Sequence, residues 1–530
     1  MKHTVYKFIV ILFLILLTGC GGGGSTGKTN TSTPIQNITL SGILKYERVP
    51  VNSNGIGLDY DHIFTNTIKL VKVEAIDAFG KVLASTFSEK TGNYSMEVPG
   101  NTKMKVRVYA QMKQSGIPGW DVKVLDNTDG DALYVMEGEL SFTGTTDTIR
   151  NLTALSGWDS DGNNVSQRVA APFAILDNIY DAMQKILLVK PDTSFPALQV
   201  HWSERNIPSS DFKPALGQII TSLYSGGNLY ILGAKDLDTD EYDDHIITHE
   251  WGHYYEEKFS RADSIGGVHN NGDYLDIRVA FSEGFGNAFS AIALDEPRYF
   301  DSMGTGQSQG FSFNMESETK VNPGWYSEGS VQRILYDLYD AESDGADDLS
   351  MGFAPLHAVF TDTQKRTKAF TSLFTFITAL KSGNSTEGTQ IDSIVADESI
   401  AAIADIYGSG RTNLASESPY MTLTLPSGTV TTNTHYGDNH NNLGNHKYVK
   451  FAIDTAGSYT ITIEDNENSN PSDPDFELYR TSPSFEFIDG LLGTAPRVES
   501  ASFTLDAGEY LLDVSDWELT SDAEFTITID

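Results

Sequence analysis

The sequence predicts a multidomain chain of 530 residues. A β-sandwich comes first, then an α+β domain built around one polar helix, then a second β-sandwich. Three observations predict this. Residues 38–150 alternate apolar and polar side chains with a period of two. From about Arg168 the spacing turns helical and encloses Thr248-His249-Glu250-Trp251-Gly252-His253. After Ala415-Ser416-Glu417-Ser418-Pro419 the two-residue period returns. The expected divisions are a leader at 1–19, a linker at 20–37, a β-sandwich at 38–150, the central domain at 151–416 and a C-terminal β-sandwich at 417–530.

Lys2 and Lys7 precede the apolar run Phe8 to Leu17, which is too short to span a bilayer and reads as a secretory signal. The run ends in Leu17-Thr18-Gly19-Cys20, which resembles the bacterial lipobox. That resemblance implies lipidation of Cys20, a membrane anchor in the cell envelope and, with Gly at 21, an outer-membrane location. Cys20 is the single cysteine of the chain, so no intramolecular disulfide can form. Gly21-Gly22-Gly23-Gly24-Ser25-Thr26-Gly27 opens a flexible tether. With 36 basic and 72 acidic residues the chain carries a net charge of −36, which opposes binding to nucleic acid or anionic lipid.

The first sandwich is expected from segments such as Ile68 to Ala75, Tyr94 to Val98 and Met104 to Ala110, punctuated by turns at 77–81 and 90–94. Val71 to Ala110 resembles a carboxypeptidase-regulatory-like β-sandwich, which implies a spacer or folding module. Trp158-Asp159-Ser160-Asp161-Gly162-Asn163 lacks the later bidentate Glu of a calcium loop and reads as a turn. A helix over Arg168 to Val189 opens the central domain, and strands are expected at 197–202 and 228–233.

The central helix carries H-E-x-x-H. His249 and His253 lie one turn apart on one face, where both imidazoles can reach a single metal ion. Glu250 projects beside that ion, placed to take a proton from a water molecule. Histidine is scarce, 11 in 530 residues, so the spacing is informative. A catalytic zinc takes a third protein ligand. Glu283 stands in the apolar stretch Val279 to Phe289, where an uncompensated carboxylate would be costly and a metal-bound one would not. His269, Asp273 and Asp276 compete for that place, and Glu283 is preferred. The extended H-E-x-x-H-x-x-G-x-x-H pattern is absent, since Glu256 and Phe259 occupy its later positions.

H-E-x-x-H followed some thirty residues later by Glu-Gly in an apolar helix resembles the gluzincins, the thermolysin-like zinc metallopeptidases, and their fungalysin branch in particular. The resemblance spans about residues 195–340 and implies a zincin-type domain with Zn2+ held by His249, His253 and Glu283 and Glu250 as general base. Many gluzincins carry an Asp four residues past the third ligand, where this chain has Asn287. A comparable helix in fungalysin-like enzymes is headed H-x-x-G. Aligning it on Gly329 puts Tyr326 at the oxyanion-donor position, with His269 as the other candidate donor. The resemblance also implies that a sheet edge near the expected strand 228–233 pairs with an extended peptide substrate, and Gly226-Gly227 before it would permit close approach of another backbone.

Asp236 to Asp244 is dense in carboxylates. Ca2+ is one candidate occupant, and the preferred expectation is a solvated run capping the helix. His245 is expected in the first turn or at the surface. Lys365 to Leu380 and Ser393 to Tyr407 read as amphipathic helices. The strands from about 420 resemble the pre-peptidase C-terminal domain, which implies an accessory role, and His435, His440 and His446 read as surface residues of an Asn/Gly-rich loop. The expected function is that of a surface-anchored zinc endopeptidase acting on protein or peptide. The rival is an inactive adhesin on a peptidase scaffold.

Overall fold

The computed structural model describes residues 36–316, 319–341, 348–410, 413–414, 417–466, 472–494 and 496–530. Cys20 and the rest of the leader lie outside them. No described helix is long and apolar enough to cross a membrane.

The boundary expected at residue 150 does not divide the molecule. One large sheet runs through it, in the order Leu223–Ser225, Asn228–Ile231, Leu198–Trp202, Trp120–Asp126, Lys103–Gln114, Val71–Asp77, Val82–Phe87. Leu198–Trp202 lies parallel to both neighbours, pairing Leu198 with Val122 on one side and Val200 with Leu229 on the other. Leu198–Trp202 is thus held on one side by the N-terminal region. A second sheet is organised around Asn37–Arg48, and helix α1 (Ala171–Val189) packs between the layers. Val73, Val106, Ile175, Trp202, Trp251 and Phe289 belong to one continuous apolar core. The reason is geometric. Local alternation reports that 38–150 is β, but not which later strand completes its sheet.

Helix α2 (Asp244–Phe259) carries the two histidines, and helix α3 (Ile277–Leu294) carries Glu283. The negative side chain of Asp244 favours the N-terminus of α2, and it is held there by Arg48 and by Asn178 Nδ2 at 2.7 Å. Ile247, Trp251, Tyr254 and Tyr255 bury the helix, with Trp251 stacked on Phe289 at 5.7 Å. Asp276 caps α3 by accepting from the Arg278 N–H at 2.9 Å. Helix α4 (Glu328–Asp337) is capped by Ser327, which accepts from Ser330. The helix expected from Lys365 begins at Leu373, where Ser372 and Thr375 form a capping box, and the one expected from Ser393 runs over Gly388–Asp397.

Among the described residues, the C-terminal sandwich has a five-stranded sheet, with His446–Ile453 beside Gly508–Asp516, and a four-stranded sheet, with Gly457–Asp465 beside Val498–Leu505. It has its own core around Phe451, Ile461, Leu512 and Phe525. It nevertheless docks tightly. Arg278, at 1% exposure, donates from Nη1 to Asp513 Oδ2 at 2.7 Å and from Nε to Asp276 Oδ1 at 2.9 Å. Its guanidinium lies 4.7 Å from the Phe370 ring and 5.0 Å from the Tyr448 ring. His446 completes the group with Nδ1 at 2.7 Å from Asp513 Oδ1, so it is an interface residue rather than a surface one.

Burial disfavours the Asp513 carboxylate, but Arg278 and then His446 outweigh it and hold its pKa down at about 2. A depressed folded pKa stabilises the protein above the unfolded carboxyl value, and that stability is lost as pH falls through the folded one. Asp513→Asn should therefore cost on the order of 3 kcal/mol at neutral pH, because Arg278 loses one buried partner. Urea unfolding at stepped pH should show the gap between wild type and variant closing from about 4 downward, toward the folded value of about 2.

Candidate metal centre

Helices α2 and α3 cross where both are bare. A Cβ on Gly252 would lie 3.4 Å from Gly286 Cα, and a Cβ on Gly286 would sit 2.8–3.0 Å from three atoms of the His249 ring. Two glycines thus let the helices approach closely enough for side chains of one to meet those of the other. His249 Nε2 lies 3.0 Å from His253 Nε2 and 3.2 Å from Glu283 Oε2, and His253 Nε2 is 3.5 Å from the same oxygen. One donor atom from each of the three residues falls within 4.8 Å of the others.

The outer partners set the proton positions. His249 Nδ1 is 2.8 Å from Asn287 Oδ1, an acceptor, so the proton belongs on Nδ1. Asn287 is itself fixed by Gln332, to which its Nδ2 donates at 2.8 Å. His253 Nδ1 faces Ser282 Oγ at 3.2 Å, and Ser282 donates onward to Glu256 Oε2 at 2.6 Å. Both Nδ1 atoms being occupied, both Nε2 lone pairs converge on the Glu283 carboxylate. Two imidazole nitrogens and one carboxylate at this range form a donor set that could hold a metal ion, and its chemistry suits zinc. Burial disfavours the Glu283 carboxylate, but the imidazoles of His253, His249 and His269 more than compensate and hold its pKa well below the usual range.

Glu250 stands beside this group, its Oε2 accepting from the Tyr224 N–H at 2.6 Å. Tyr224 lies on Leu223–Ser225, the edge strand of the large sheet. Burial raises the Glu250 carboxyl above its usual value, and Glu283 adds to this against the opposing pull of His249 and His253.

The structure does not bring Tyr326 to the cluster. Its hydroxyl donates to the Pro323 carbonyl at 3.3 Å, and its ring stacks on Tyr274 at 4.9 Å. Alignment on Gly329 fixes its place in the chain but not the direction of its side chain. His269 does reach the cluster, with Nε2 at 3.3 Å from Glu283 Oε2 and Nδ1 at 2.7 Å from Glu328 Oε2. Burial opposes its charge, but the hydrogen bond it donates to Glu328 and the field of Glu283 raise its pKa to about 9. Glu256, Ser282 and Glu328 are the residues sequence reasoning missed. The polar Ser282, inside an apolar helix beside Glu283, was the one available signal.

Asp236 is exposed, but the carboxylates from Asp240 to Asp243 are not solvated. Asp240 is 3% exposed, and Glu241 and Asp243 are fully buried. Glu241 pairs with Arg168 Nη1 at 2.6 Å, and Asp243 accepts from the Ser302 N–H at 2.9 Å and from its hydroxyl at 2.7 Å. Asp240 accepts from Ser222 through Oδ2, and its Oδ1 has no partner, like one oxygen each of Asp238 and Asp301. Donor atoms of these three lie within 4.8 Å of one another. Burial followed by mutual repulsion raises Asp301 to about 7. His245 is buried, with Nε2 3.1 Å from the Glu296 carbonyl oxygen, so it is neither a surface residue nor a member of the metal group.

Residues 196–397 match the family described as Mycolysin C-terminal domain. The matched stretch includes His249, His253 and Glu283 and supports a protease-related protein. No curated protein matches the chain. Among solved structures, the chain is similar to the pre-peptidase C-terminal domain of a collagenase from Bacillus anthracis, at 14% identity, over 21% of this chain and 92% of that one, with a TM-score of 0.16. It is also similar to CorA, a surface-associated copper-binding protein of Methylomicrobium album BG8, at 12% identity over 21% and 96% of the two chains, with a TM-score of 0.17. Scores this low do not bear on the fold of the whole chain.

Gly286→Ala should push the His249 ring out of line. Zinc affinity, read by competition with a chromophoric chelator, is expected to fall by ~10-fold or more. Unchanged affinity would show that the ring can retreat without loss.

Proposed function

We propose that the protein is a zinc-dependent endopeptidase anchored at the cell surface through a lipid on Cys20. The convergence of His249 Nε2, His253 Nε2 and Glu283 Oε2 beside a half-buried Glu250 carries this reading. Zinc held by these three residues would supply the Lewis acid that polarises a scissile carbonyl and acidifies water.

The chain's own residues do the rest. Glu250, its carboxyl raised by burial, takes the proton of the attacking water and passes it to the leaving amine. The Tyr224 N–H steadies that carboxylate from the sheet edge. A substrate laid as an added strand along Leu223–Ser225 would therefore run past the general base. His269, held by Glu328 on one nitrogen, offers the other as a donor to the oxygen on which negative charge develops.

Asp238, Asp240 and Asp301 form another group that could hold a cation, and its all-oxygen donor set suits calcium rather than zinc. They lie on the chain just before α2 and on the strand Arg298–Met303, so a cation there would pin the entry to the metal helix.

The peptidase reading is tested with protein bearing Cys20→Ser, which should move from the membrane to the soluble fraction. Digests of unstructured peptides should show internal cuts that vanish with a zinc chelator and in Glu250→Gln, while that variant still binds zinc. His269→Ala should lower kcat by ~100-fold with little change in KM. A folded, zinc-loaded wild type that cuts nothing would favour a binding protein.

For the oxygen site, wild type should melt higher in calcium than in EGTA, by ~3 kcal/mol of stability at about 100-fold Kd. Asp240→Ala should abolish the difference. A variant that is simply more stable, in a protein indifferent to calcium, would mean that the carboxylates only repel one another.

A further inference from the structure

The C-terminal sandwich holds the loop that carries His269. Chain 260–276 leaves α2 and returns to α3 with little regular structure of its own. Its outer side is covered by the asparagine-rich loop 433–445 of the C-terminal domain. Asn441 Nδ2 donates to the carbonyl of Val268, the residue before His269, at 2.9 Å. The Asn441 carbonyl accepts from the Asp276 N–H at 2.8 Å, and the Leu443 N–H donates to the Tyr274 carbonyl at 2.8 Å. Leu275 and Asn442 form an antiparallel bridge, and the rings of Tyr274 and Tyr436 lie 4.8 Å apart. The two chains thus pair backbone to backbone across a domain boundary.

Both sides are shaped for this contact. Gly267 has φ +109°, a conformation unfavourable for any other residue, and a Cβ there would meet Asn441 Nδ2 at 2.6 Å. On the other side, Asn442 Oδ1 accepts from the Asn439 N–H at 3.0 Å, Asn442 donates its own N–H to the Asn439 carbonyl at 2.9 Å, and Asn445 also reaches that carbonyl. Asn441, Asn442 and Asn445 are all buried. A loop tied to itself in this way is a rigid support. On the inner side the same segment meets the metal group, where His269 joins Glu328 and Glu283.

We infer that the 433–445 loop is a positioning element of the catalytic centre, and that Asn441 is the residue through which the C-terminal domain fixes His269 against Glu328 and Glu283. The catalytic consequence rests on the endopeptidase reading above; the clamp itself does not.

The test uses the full chain after signal removal, in the Cys20→Ser background. Asn441→Ala deletes the contact, and Asn441→Leu keeps the volume while removing the Nδ2 donor without adding a charge. Hydrogen exchange read by mass spectrometry should quicken by ~10-fold for amides of 267–276 in both variants, with the sandwich strands unchanged. The kcat should fall by ~10-fold at nearly constant KM and full zinc content. Placed on His269→Ala, Asn441→Ala should add less than about a twofold loss, because its effect passes through that imidazole. Unchanged exchange, or an equal kcat loss with and without His269, would overturn the inference. Quickened exchange in a protein whose wild type cuts no peptide would leave the clamp standing and refute the peptidase reading instead.

Discussion

Everything at this centre depends on two helices crossing without side chains between them. Gly252 and Gly286 meet where α2 and α3 touch, and the His249 ring lies against the bare Gly286 backbone. This close approach brings a carboxylate from one helix to two imidazoles on the other. The energetic problem it creates also explains the surroundings. Glu283 is buried, and a buried carboxylate is tolerated only among opposite charges or a metal. Asn287, Ser282, Glu256 and Glu328 each take an outer hydrogen of an imidazole, directly or through one intermediary. That arrangement leaves the inner nitrogens of His249 and His253 as bases facing the carboxylate.

The same economy of charge extends along α2. Its N-terminus is surrounded by acidic residues that composition alone would place in water, yet most have a private partner: Glu241 has Arg168, Asp243 has Ser302, and Asp244 has Arg48. One oxygen each of Asp238, Asp240, Glu241 and Asp301 has no hydrogen-bond partner. Partnered carboxylates anchor the helix to the sheet and to Asn37–Arg48.

The two histidines and Glu283 were legible in the sequence because their signals are local. Four-residue spacing on a helix and a carboxylate in an apolar stretch need no tertiary knowledge. Asn287 was legible for the same reason, lying one turn past Glu283. What sequence did not reveal was non-local. Glu328 is 59 residues from the His269 it orients, and Trp120–Asp126 lies far in the chain from the strand Leu198–Trp202 that it pairs. Tyr326 shows the converse failure. Its register relative to Gly329 is as expected, but its ring is drawn into a stack with Tyr274 and away from the histidines. The acidic run was misjudged because hydrophilicity measures the cost of burial, not whether a partner such as Arg168 waits inside.

The folded architecture also bears on how the flanking regions relate to the central one. An N-terminal β region could be removed without loss only if the central domain kept its sheet without it. Here Leu198–Trp202 is flanked on one side by Trp120–Asp126 and on the other by Asn228–Ile231, whose partner is the edge strand bearing Tyr224. Removing 38–150 would leave a three-stranded remnant with a newly exposed apolar edge, and would strip α1 of Val106 and Val124 in the shared core. It would also remove Arg48 from Asp244 at the start of the metal helix. The C-terminal sandwich is tied in by Arg278 with Asp513 and by Asn441 with Val268. Both flanking regions therefore act as walls of the central domain, one behind the helix that carries the histidines and one behind the loop that carries His269.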